Sequence, residues 1–136
     1  MSEENVEIVR QAIDAWNRRD IEGLLAISDP EGEYVNSPTA VEPGTRHGAE
    51  EVIAAMRTQW ELLTDGRQEI DQVFDRGEEI ISLGRLSRRM PDSDARLEDQ
   101  VLVSWTIRSG RLVRIEVLGF GRAEVEQALE AAGLSE

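Results

Sequence analysis

The side chains available for chemistry are few in kind. The 136-residue chain has no cysteine, and all 15 of its lysine-or-arginine positions are arginine. Thiol nucleophiles, disulfides and thiolate metal sites are therefore excluded, as is Schiff-base chemistry through a lysine amine. His47 is the only histidine, whereas a catalytic zinc takes several nitrogen or carboxylate ligands. The stretch Gly44-Thr45-Arg46-His47-Gly48 lacks the lysine and the strand–helix setting of a phosphate loop. What is left is carboxylates, the single tyrosine Tyr34, one histidine, arginines, hydroxyls and bound water. Such a set supports acid–base and hydrogen-bond chemistry without a cofactor.

Among the carboxylates, Asp99 stands out. Leu97, Val101, Val103, Trp105 and Ile107 alternate on one face of a strand, and Asp99 interrupts that apolar row. Burial on a helix-facing surface would make it an acid or base; a place at the sheet rim would leave it solvated opposite an arginine. Glu116 alternates with Val113, Ile115 and Val117, so it points away from their face unless both faces of a curved sheet are covered. Arg85 shares the parity of Ile81 and Leu83 and is a candidate counter-ion to either acid, although Ile80 and Leu86 make the other parity nearly as apolar. Trp16, Met56, Trp60 and Trp105 fall on the inward stripes of their elements, as walls of a ligand site or as plain core. Tyr34 offers a phenol to a carbonyl, and His47 suits a surface or capping place in its glycine-rich loop.

The elements that must position these groups are legible from periodicity. Val6, Val9, Ala12, Ile13 and Trp16 form one helical stripe ending at Arg18-Arg19. Asp20 caps a short second helix to about Ile27, which Asp29-Pro30 closes. Glu33–Asn36 reads as a strand, Ser37–Gly48 as a loop, and Ala49–Leu63 as a helix carrying Val52, Ile53, Met56, Trp60 and Leu63 on one face. Strands follow at Gln68–Asp75, Glu79–Arg89, Leu97–Arg108 and Arg111–Leu118, with Ser109-Gly110 as a tight hairpin turn. A last helix spans Arg122–Ala132, ending at Gly133-Leu134 in a glycine cap with its hydrophobic contact. Helices before a run of antiparallel strands indicate one α+β domain over 1–136.

That order resembles the ketosteroid isomerase and SnoaL-like polyketide cyclase group of the nuclear transport factor two-like superfamily. The matching features are the Trp16–Asp20 helix ending, the strand stopping at Pro38, Gly48 opening the long helix, the Gly110 hairpin and the tail Glu124–Leu134. The resemblance implies a curved sheet wrapped around helices as a cone, a mostly apolar pocket, and a homodimer through the sheet. It also implies a base before the proline of the first strand and an oxyanion tyrosine in the first helix. Ser37 and Ala12 stand at those places, and neither can act so.

The expected pocket set is therefore Trp16, Tyr34, Ser37, Met56, Trp60, Arg85, Asp99, Trp105 and Glu116, with Asp99 and Tyr34 the candidates for chemistry. The expected ligand is a small, largely apolar molecule. Alternatives are a cofactor-independent isomerase, cyclase, dehydratase or hydrolase, and a dimeric protein-interaction module. A net charge of −13 with no basic stripe argues against nucleic acid. No apolar run reaches membrane-span length, and Met1-Ser2-Glu3-Glu4-Asn5 has no secretory pattern, so the cytoplasm is the default.

Overall fold

The structure, a computed structural model, describes residues 2–40 and 43–134. Four helices, α1 (Ser2–Arg18), α2 (Ile21–Ala26), α3 (Ala49–Leu62) and α4 (Arg122–Ala131), accompany six strands. The strands are β1 (Ser28–Asn36), β2 (Gly44–His47), β3 (Arg67–Arg76), β4 (Glu79–Arg89), β5 (Arg96–Arg108) and β6 (Arg111–Phe120). They form one curved open sheet in the order β2-β1-β6-β5-β4-β3. All neighbours are antiparallel except β1 and β6, which run parallel, so the sheet is mixed. No helix among the described residues is long and apolar enough to cross a membrane.

Local chemistry explains the joints. The Asp20 carboxylate accepts from the Gly23 backbone N–H at 2.9 Å, capping α2 as its sequence predicts. Ser109 and Gly110 take φ of 52° and 76°, the double left-handed turn that matches strand twist in a two-residue hairpin. Leu134 donates its backbone N–H to Leu129 and packs beneath α4, closing that helix as expected of the glycine end.

Two expectations need correction. The loop read between Ser37 and Gly48 contains β2, which pairs with β1 through Glu33–His47 to Asn36–Gly44; Val41 and Glu42 of that loop lie outside the described residues. A four-residue edge strand of Gly, Thr, Arg and His carries no apolar alternation, so periodicity could not reveal it. The first strand also begins at Ser28 and runs past Pro30. Its register with β6 breaks between Ser28 and Glu33, and proline, which lacks an N–H, is tolerated inside that break.

The core has two sides. On the inner face, Val9, Ala12 and Ile13 of α1 meet Ile80, Val101, Val103, Trp105 and Ile107, beside a cluster of Trp16, Tyr34 and Met56. On the outer face, α4 lays Val125 on Ile81 and Leu102. The remaining outer surface is charged: Arg85 pairs with Asp71, Glu69 and Glu98, and Arg114 reaches Glu33 and Glu116.

Candidate functional site

Between the inner sheet face and the helices lies a cavity of about 440 Å3. Its deep walls are Ala12, Ile13 and Trp16 of α1, Met56 of α3, and Val103 and Trp105 of β5. Strand register aligns the β-side of this wall. Trp105 stands opposite Ile115, and Val103 opposite Val117, so their side chains share one face. The Trp105 indole N–H is satisfied by the buried Ser82 hydroxyl at 2.8 Å, leaving the ring as apolar wall.

One polar chain crosses this wall. Trp16 Nε1 donates to Gln59 Oε1 at 3.0 Å, and Gln59 Nε2 donates to the Tyr34 hydroxyl at 2.7 Å. An indole nitrogen can only donate, so it fixes which end of the Gln59 amide faces Tyr34. The phenol oxygen is thereby an acceptor for Gln59, and its own proton is left to be donated; no described residue accepts it. Burial pushes the Tyr34 phenol up to about 12, against the opposing pull of the Gln59 hydrogen bond and the Arg46 charge. At neutral pH this group is a protonated donor set in an apolar wall. It can polarise a carbonyl or hold an oxyanion, and it cannot be a general base.

Ser37 also lines the cavity and is 3% exposed. Its hydroxyl lies 2.9 Å from the Thr39 hydroxyl and donates to Glu124 Oε1 at 3.3 Å, while Thr39 donates to Glu124 Oε2. The Phe120 backbone N–H completes the clasp at 3.1 Å. The Thr39 hydrogen bond, then that backbone N–H, hold Glu124 below the usual carboxylate range. The first strand's end, the last strand's end and α4 are thus tied together beside the cavity.

The expected residues divide. Trp16, Tyr34, Ser37, Met56 and Trp105 come together at the cavity, with Ala12 beside them. Trp60 packs behind Trp16, ring centroids 6.2 Å apart, and is not among the lining residues. Asp99, Arg85 and Glu116 do not line it either. Asp99 keeps the parity of Val101 and Trp105 and pairs across from the lining Leu86, but it is half-exposed and is not itself among the lining residues. Arg85 and Glu116 belong to the outer face, where Asp71 engages Arg85 at 3.0 Å and Arg114 engages Glu116 at 3.4 Å. His47 is exposed beside Glu31 and Glu33.

Sequence reading passed over Gln59, Arg46 and Arg88, all of which line the cavity. A signal for Gln59 existed: it stands three residues after Met56 and seven after Val52, on the apolar stripe itself. Arg46 was hidden because β2 was unseen, and Arg88 because the parity of β4 was ambiguous. Among the described residues, no cluster of histidine, aspartate and glutamate is arranged to hold a metal ion.

The comparisons agree with this geometry. No curated protein matches the sequence. An NTF2-like protein of unknown function from Burkholderia pseudomallei K96243 is 26% identical, over 92% of this chain and 96% of that one, with a TM-score of 0.74. TerC co-crystallised with polyporic acid is 21% identical over 93% and 98%, TM-score 0.72. A putative SnoaL-like polyketide cyclase from Jannaschia sp. CCS1 is 17% identical over 96% and 94%, TM-score 0.75. The model of the SnoaL-like domain matches residues 9–115, most of the chain, and the protein belongs to that family.

Proposed function

We propose that the protein binds a small, largely apolar molecule in the cavity and grips one of its oxygens with the Tyr34 phenol. The observation that carries this reading is the Trp16–Gln59–Tyr34 chain, which sets a donor with no acceptor among the described residues against an apolar space of about 440 Å3. Ligand sites typically occupy roughly 300–1,000 Å3, with mostly apolar walls and a few placed polar groups. Aromatic polyketides, steroids and terpenoids have that balance of ring and carbonyl. The co-crystallisation of polyporic acid with TerC, a protein of similar fold, is in keeping with it.

Binding is preferred to acid–base catalysis because, among the described residues, no aspartate or glutamate lines the cavity. A base at Asp99 would have to turn in from a half-exposed place beside the lining Leu86. The same reading has the protein acting in the cytoplasm as a homodimer through its outer sheet face, where arginines and acids interleave.

The test is a fluorescence titration against those three ligand classes, read on Trp16 and Trp105, with mass analysis of the recovered ligand. Saturable binding with the ligand returned unchanged is expected. A ligand returned chemically altered would move the protein to the enzyme alternative. No saturable change with any class would remove the binding reading.

A further inference from the structure

Gln59 sits where three elements meet. On α3, it joins Trp16 of α1 to Tyr34 of β1, residues 43 and 25 positions away in sequence. Its amide has an accepting end and a donating end, and the two are used differently. Oε1 takes the Trp16 indole proton at 3.0 Å, while Nε2 gives a proton to the Tyr34 oxygen at 2.7 Å. Turning the amide over would set one N–H against another, because an indole nitrogen never accepts. Trp16 therefore holds Gln59 one way round.

The consequence falls on the phenol. Its oxygen is an acceptor for the protein, and no described residue accepts its own proton. Burial keeps that proton in place at neutral pH. The surroundings are apolar: Trp16 and Met56 are buried with Tyr34, and Ile115 and Val117 pack against them. The next polar groups along β1 are engaged elsewhere. Asn36 Oδ1 accepts from the Ser37 N–H at 3.0 Å, and the Ser37 hydroxyl donates to Glu124 at 3.3 Å.

A carbonyl and a hydroxyl of the same size fare differently at such a place. A carbonyl oxygen accepts the phenol proton and leaves no donor unmet. A ligand hydroxyl that accepts it turns its own hydrogen towards apolar wall. One that donates instead meets an oxygen already accepting from Gln59 and strands the phenol proton. Each arrangement leaves a donor unpaired away from water, which weakens binding. Resting on the binding reading above, we infer that the cavity selects ketone or quinone carbonyls over the corresponding alcohols. Gln59, fixed by Trp16, is the positioning residue that sets this preference.

The test is calorimetric titration with a matched pair, 1-acetonaphthone and 1-(1-naphthyl)ethanol, which differ at one oxygen. The ketone is expected to bind about tenfold more tightly, equivalent to about 1.4 kcal/mol. Tyr34→Phe should bring the two within about twofold, which removes any difference due to shape. In Gln59→Glu the carboxylate accepts from both the indole and the phenol. That variant should weaken the ketone several-fold and spare the alcohol, whose retained binding shows that the protein is folded. Trp16→Phe releases the amide to turn either way and should also narrow the ratio. Equal binding of the two probes to the wild type would overturn the selectivity and leave the binding site standing. A wild-type ratio kept in Gln59→Glu would overturn the role of Gln59, as would a loss shared alike by both probes. Should Gln59→Glu bind neither probe, an unchanged ratio in Trp16→Phe would do the same. Failure of both probes with the wild type would overturn this inference and the binding reading together.

Discussion

Tyr34 is the only tyrosine of the chain, which makes its chemistry directly observable. Its phenol titrates near 12, whereas an unfolded chain ionises it near 10. A raised native value means that the folded state holds the proton more tightly. The stabilisation is then fully present below pH 10 and is lost as pH rises towards about 12, amounting to about 3 kcal/mol across that interval. Ultraviolet titration of the phenolate, paired with circular dichroism, should show no ionised tyrosine in the native protein below pH 10. Tyr34→Phe should remove that part of the alkaline loss. A phenolate appearing near pH 10 with the fold intact would show that the hydroxyl is open to solvent.

Strand β4 holds the sheet's tightest approach. A Cβ built on Gly84 would lie 2.1 Å from the Glu69 carbonyl oxygen of β3, a backbone atom that cannot swing aside. The approach occurs where the β3–β4 register shifts between Ile70 and Gln72, so the bulge and the glycine belong together. Gly84→Ala should therefore destabilise the protein by about 2 kcal/mol or more, with chemical denaturation as the measurement. An unchanged midpoint would contradict the close packing of β3 on β4. Most elements were legible because their patterns repeat: the α1 stripe through Trp16, the α3 stripe through Met56, and the β5 row through Trp105. Strand β2 was not, since four polar or small edge residues have no buried face to repeat. The parity of β4 stayed ambiguous because it is covered on both sides: α4 packs over Ile81, while Ile80 joins the α1 core.

Across the molecule, a mixed sheet separates two surfaces of different character. The inner one is largely apolar around the cavity; the outer one, away from α4, is a lattice of ion pairs around Arg85 and Arg114. If two copies meet through that outer face, the contact is largely ionic. Light scattering should then give a dimer at low salt that dissociates at high salt, where pairs near a surface are screened. A monomer at low salt would remove that assembly. The walls of the candidate site were partly legible in the sequence, because Trp16, Met56 and Trp105 lie on well-marked stripes, although Trp60 shares the α3 stripe and packs on Trp16 instead of lining the cavity. Of its polar groups Tyr34 and Ser37 were read, whereas Gln59 and Arg88 were passed over, and Asp99 has the inner parity without being among the lining residues. The proposed contact is between the Tyr34 phenol and a ligand oxygen inside the cavity. The most direct measurement is the carbon-13 chemical shift of a carbonyl-labelled 1-acetonaphthone bound to the wild-type protein and to Tyr34→Phe. A downfield shift in the wild type that the variant loses is the predicted result. An equal shift in both proteins would contradict it.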